Sequence, residues 1–129
     1  MSNLVETIKN KPFFDSYNGV SETEINKAET ELSLKFTDEY KQYLIAFGEA
    51  SYNGHELTGI CTAKRLNVIE ATVQERESNP NVPLTWYVVE QLNIDDVVIW
   101  QAPTGEIYQT IPGEEPYKLC NSLLEYVNL

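Results

Sequence analysis

At 129 residues and 14.7 kDa the chain has room for one domain, spanning residues 1–129, and a chain of this length buries roughly two thirds of its unfolded surface. A hydrophobic fraction of 42% with 22% charged residues excludes a disordered or fibrous class. Twenty acidic against nine basic side chains give a net charge of −11, which argues against nucleic acid or an anionic membrane as partner, since both demand clustered Lys and Arg.

Leu4 and Ile8 share one face of a short first helix that Pro12 ends, with Phe13 and Phe14 expected to pack nearby. Ser21 with Glu24 forms a capping box between the staple positions Val20 and Ile25, and opens a second helix. Ile25, Ala28 and Leu32 give that helix an apolar stripe opposite Glu22, Lys27 and Glu31. Thr37 is placed to cap a third helix carrying Tyr40, Leu44 and Phe47 on one side, with Gly48 as its stop.

Asn53-Gly54 predicts a tight hairpin between Ser51-Tyr52 and an extended run from His55 to Ile60. Asn67 with Glu70 repeats the capping-box pattern at the start of a fourth helix, along one side of which Ile69, Val73 and Arg76 fall before it fades ahead of Pro80. Residues 84–91, 97–101 and 106–111 are rich in β-branched and aromatic types. The turn residues Asn93 to Asp96 and Pro103-Thr104-Gly105 separate them, so an antiparallel meander is the economical pairing. Leu119, Leu123 and Val127 mark a closing helix. The expected class is α+β, a twisted and mainly antiparallel sheet packed against N-terminal and C-terminal helices.

Chemistry is sparse in this pattern. His55 is the sole histidine, so no Ser-His-Asp or Cys-His pairing follows from spacing, and the expectation is a chain without catalytic residues. Cys61 and Cys120 form no Cys-x-x-Cys or Cys/His cluster, and six isolated glycines make no phosphate loop. Neither a cofactor nor a metal is expected. Asp95-Asp96 has the hard oxygens that suit a divalent cation, but a carboxylate pair before a strand is more often turn chemistry.

The eight tyrosines and two tryptophans are expected mostly in the core, with Trp86 and Val88 alternating with Tyr87 and Val89 across a sheet. Residues 1–60 hold 10 acidic and 5 basic side chains and residues 61–129 hold 10 and 4, so the acid belongs to the folded surface and not to a tail. Such a surface either serves solubility or steers a basic partner into contact.

The run from Val20 through Glu29, then Leu32-Ser33-Leu34-Lys35-Phe36 and Asp38-Glu39-Tyr40-Lys41-Gln42-Tyr43-Leu44, resembles the opening signature of the SUKH superfamily. Its members include fungal cell-wall assembly regulators. Ile25, Glu29, Leu32, Tyr40, Lys41 and Leu44 match that signature in order, and the departure is Phe36-Thr37 where the family usually has Leu-Pro. Thr37 still suits a helix cap, so the change leaves the fold intact.

The resemblance implies an α+β fold with a twisted sheet. In many bacterial members it implies an immunity protein that neutralises a polymorphic toxin, and in others a regulatory scaffold binding a host protein. The signature residues maintain the fold, which leaves partner recognition to the surface. Tyr52, His55, Glu56, Glu90, Asp95 and Asp96, at predicted strand ends and turns, are the candidate partner-binding residues, and a basic toxin domain, a nuclease, is the expected partner. Oligomeric state is not readable. Met1 to Glu6 lack a signal-peptide pattern and no apolar run approaches the ~20 residues of a membrane span, so a cytoplasmic location is expected unless a specialised route exports the chain.

Overall fold

Helix starts in this chain are set by side chains that take up backbone N–H groups lacking an intrahelical partner. The computed structural model describes residues 3–129; Met1 and Ser2, part of the segment searched for a signal-peptide pattern, lie outside them. A first helix, α1 (Leu4–Lys9), buries Leu4 and Ile8 as their spacing predicts. In α2 (Glu22–Leu32) the Ser21–Glu24 box is complete in both directions, and the helix ends on Ser33 in the left-handed region. Thr37 Oγ1 accepts the Tyr40 N–H at 3.1 Å and starts α3 (Asp38–Phe47), which stops at Gly48 with φ 70°.

Beyond Pro12 the chain turns sharply through Phe13, whose φ is +60°. That turn divides two neighbours expected to pack alike. Phe14 lies edge-on to Phe47 with centroids 5.1 Å apart, whereas Phe13 points outward and is 86% exposed. The turn delivers a two-residue strand, β1 (Asp15–Ser16), which pairs antiparallel with β2 (Ala50–Tyr52).

Strand β2 is joined to β3 (His55–Glu56) through Asn53 and Gly54, both at positive φ as a primed hairpin turn requires. The expected extension to Ile60 ends early. Leu57 makes one bridge to Glu90 and Gly59 makes one to Asn67, because the chain here leaves its hairpin to join other elements. Gly59 passes so close to the end of α3 that a Cβ would lie 1.9 Å from the Gly48 carbonyl oxygen.

After a 3-10 turn over Lys64–Leu66, the Asn67 side chain caps α4 (Val68–Ser78) by accepting from Ile69 and Glu70. The buried residues of α4 are Val68, Ala71 and Thr72; of the row Ile69, Val73 and Arg76, Ile69 packs half-buried against the main core while Val73 is half exposed. Thr72 Oγ1 accepts the Val88 N–H at 3.0 Å, so small side chains bring this helix close against a sheet. That sheet runs β4 (Tyr87–Gln91), β5 (Val98–Gln101), β6 (Ile107–Thr110) and β7 (Tyr117–Cys120), each antiparallel to its neighbour in chain order. The meander is as predicted, with a fourth strand added: Leu119 belongs to β7, and the closing helix, α5 (Leu123–Val127), begins later.

The alternation along β4 buries both of its faces. Tyr87 and Val89 join Ile25, Leu32, Tyr40, Leu44, Ile99 and Leu123 in the main core, while Val88 packs with Ala71, Val82, Val98 and Trp100 in a smaller one under α4. Thr58 ties the two sheets to α3: its N–H donates to Val89 O at 2.9 Å and its hydroxyl to Val88 O at 2.8 Å. The Tyr43 hydroxyl donates to the Thr58 carbonyl at 2.8 Å. The result is an α+β architecture with two antiparallel sheets and helices from both ends of the chain.

Candidate functional site

Four of the six residues singled out from the sequence meet at one place, where the β2–β3 hairpin lies against β4. A bulge between Val88 and Glu90 shifts the β4 register so that Glu90 pairs with Ile99 and shares its face. Glu90 is 3% exposed, and its carboxylate accepts from three directions. The Tyr126 hydroxyl donates to Oε1 at 2.6 Å, the Glu56 N–H donates to Oε2 at 3.1 Å, and His55 Nδ1 stands 3.3 and 3.2 Å from the two oxygens. Among the described residues no Lys or Arg pairs with Glu90; the ion pairs are Lys35 and Lys41 with Glu29, Arg65 with Glu56, and His55 with Glu90 when protonated.

Exposure divides the candidates differently from the expectation. Tyr52 is only 4% exposed and its ring stacks on the His55 imidazole, centroids 5.2 Å apart, because the hairpin turns it inward against Glu90 and Tyr126. Burial first, then the Glu90 charge, holds the Tyr52 and Tyr126 phenols well above their ordinary range, so both stay protonated donors. Glu56 stands at the surface in a fork with Arg65, at 2.7 and 2.9 Å. That bonding holds its carboxyl below the usual range.

Between the hairpin and the loop after β4 lies a cavity of about 300 Å³, lined by His55, Glu56, Glu90, Leu92 and Ile94 among others. On the other side of the His55 ring a second cavity, about 140 Å³, is bounded by Lys11, Tyr52, Tyr126 and Leu129. Asp95 and Asp96 do not line either. They are exposed in the same loop as Ile94, at φ 54° and 58°, in a conformation that short carboxylate side chains tolerate. Ile94 itself is 67% exposed.

Sequence reasoning missed Tyr126, Arg65 and Ile94. Tyr126 comes from the far end of the chain, and no local pattern links it to Glu90. Arg65 sits in the adjacent pair Lys64-Arg65, a visible signal whose partner was not. The cluster assembles a buried carboxylate, the Tyr126 phenol that donates to it and one imidazole, and among the described residues no hydroxyl or thiol side chain hydrogen-bonds His55. Burial pushes both the Cys61 and Cys120 thiols up, the opposite of an activated nucleophile. Among the described residues no three His, Cys, Asp or Glu side chains are grouped to hold a metal ion, and no helix is long and apolar enough to cross a membrane.

A family model, SUKH_5, described as SMI1-KNR4 cell-wall, matches residues 1–127. The chain belongs to the SUKH family. No curated protein matches it. Family membership supports a protein-interaction domain. The SUKH signature residues are structural here: Ile25, Leu32, Tyr40 and Leu44 are core, and buried Glu29 accepts the Phe36 N–H at 2.8 Å while Lys35 and Lys41 stand 3.8 Å from its oxygens. They fix the passage from α2 to α3.

Proposed function

We propose that this chain, as one SUKH-like domain over residues 1–129, is a cytoplasmic immunity protein that binds a cognate polymorphic toxin, a nuclease, and covers its basic active site. The observation that carries the reading is the hairpin basin: Glu56, Glu90 and His55 around a cavity, with exposed Ile94 beside Asp95 and Asp96 on its rim, in a chain of net charge −11. An acidic field speeds the approach of a basic surface, and an apolar anchor beside it slows departure. Tyr52 supports His55 from behind.

Co-expression with a toxin encoded beside the gene tests this directly. Survival of the host and a complex that weakens with salt are the expected result. A variant with Glu56, Asp95 and Asp96 all changed to Lys should fold, as judged by its circular dichroism and unfolding midpoint, and fail to protect. No rescue and no complex would remove the immunity reading. The family description, with its reference to SMI1-KNR4 and the cell wall, favours as second reading a regulatory or scaffold domain that binds a host protein.

A further inference from the structure

We infer that the cavity beside β3 is a socket for one cationic side chain, an arginine of a protein partner, with Glu90 as its counter-ion and His55 as a displaceable cover. The inference rests on reading this basin as the partner face.

The bonds to Glu90 differ in kind. Tyr126 and the Glu56 N–H each address a single oxygen and are fixed by α5 and by the backbone of β3. His55 Nδ1 instead sits almost equally far from both oxygens, at 3.3 and 3.2 Å, a shared and long contact made by a side chain that is 44% exposed. A carboxylate offers about four lone-pair sites, and a shared contact uses them poorly. The place that His55 occupies, facing both oxygens at once, is the place where the parallel N–H groups of a guanidinium make two straight bonds.

Three further observations select the occupant. The lining carboxylates Glu56 and Glu90 exclude an anion. At about 300 Å³ the cavity takes one side chain rather than a folded element, and Leu92 and Ile94 offer apolar surface to an alkyl stem. The chain's own cations nearby are committed elsewhere: Arg65 is forked onto Glu56, and Lys11 lies over the Tyr52 ring, 5.9 Å from its centroid, and bonds to Asn128. A buried carboxylate without a permanent cation is costly to keep, and replacing such groups by apolar ones is often neutral or stabilising. A partner's guanidinium supplies the missing charge.

The test needs no toxin. Isotope-labelled protein is titrated with N-acetyl-arginine amide and, separately, with its neutral isostere N-acetyl-citrulline amide, following amide shifts. Saturable shifts at Glu56 and Ile94 are expected with the arginine compound, and about tenfold weaker binding or none with the citrulline one. Glu90→Gln, checked for a native spectrum, should weaken arginine binding about tenfold. His55→Ala should bind at least as tightly as the parent, because the cover is gone.

Absence of saturable shifts, equal binding of the two compounds, or weaker binding by H55A would each overturn the socket. Should E90Q fail to fold, the citrulline comparison and H55A decide alone. Arginine binding without toxin rescue would remove the immunity reading and leave the socket standing; rescue without arginine binding would remove the socket alone.

Discussion

Glu29 and Glu49 are both nearly inaccessible carboxyl groups, and they have opposite local economies. Glu29 accepts a backbone N–H and faces two lysines, whereas Glu49 Oε2 has no hydrogen-bond partner. Burial, then repulsion from Glu56, pushes Glu49 up to about 7 from an ordinary 4.5, against a smaller opposing pull from Arg65. The native state therefore prefers Glu49 protonated. Its stabilising contribution is complete below about 4.5, falls as pH rises through that value, and is gone above about 7. We expect Glu49→Gln to be more stable than the parent at alkaline pH, with the difference shrinking to nothing under acid conditions. Urea midpoints of both proteins across that range measure it, and a difference that does not vary with pH would refute the assignment. Of these two residues the sequence marked Glu29, through its place in a signature with Lys41; nothing around Glu49 announced its burial, which comes from the turn of the chain after α3.

At the scale of elements, what was legible was what is local. The Ser21 and Thr37 caps and the Asn53-Gly54 turn depend on neighbours within three residues and stand as read, while Asn67 supplies the forward half of its capping pattern by accepting from Ile69 and Glu70. Strand β7 was hidden because Leu119, Leu123 and Val127 mimic a helical repeat, and pairing with β6 overrides it. The buried face of α4 was hidden for a related reason: Ala71 and Thr72 are weak hydrophobic signals but permit close approach to β4.

Close approach also governs Gly59, where a methyl would meet the Gly48 carbonyl oxygen at 1.9 Å and the Glu49 Cα at 2.8 Å, both backbone atoms that cannot swing aside. Gly59→Ala should cost about 1–3 kcal/mol by overpacking. A lowered denaturant midpoint with an unchanged slope is the expected signature. An unchanged midpoint would mean that the two segments separate at little cost.

Fold class and charge are properties of the whole chain, and both are legible in the sequence, since composition and turn spacing sum over many residues. The basin was readable only in part. His55, Glu56 and Glu90 were named for lying at strand ends, but their meeting depends on hairpin-to-sheet docking and on Tyr126, and periodicity carries neither. Under the proposed function the two scales contribute separably to binding. A net charge of −11 acts over distances comparable to the Debye length, about 10 Å at 0.1 M salt, and so acts before contact. The basin acts only after it.

For a basic protein partner, raising salt should therefore slow association by about ten- to a hundredfold, with dissociation changing far less. Stopped-flow rates at several ionic strengths separate the two. Substituting Ile94 by Ala should do the reverse, speeding dissociation and sparing association, because an exposed apolar side chain contributes nothing until it is covered. If salt instead acted mainly on dissociation, the acidic surface would be engaged within the interface itself, and the overall charge would be a matter of solubility rather than steering.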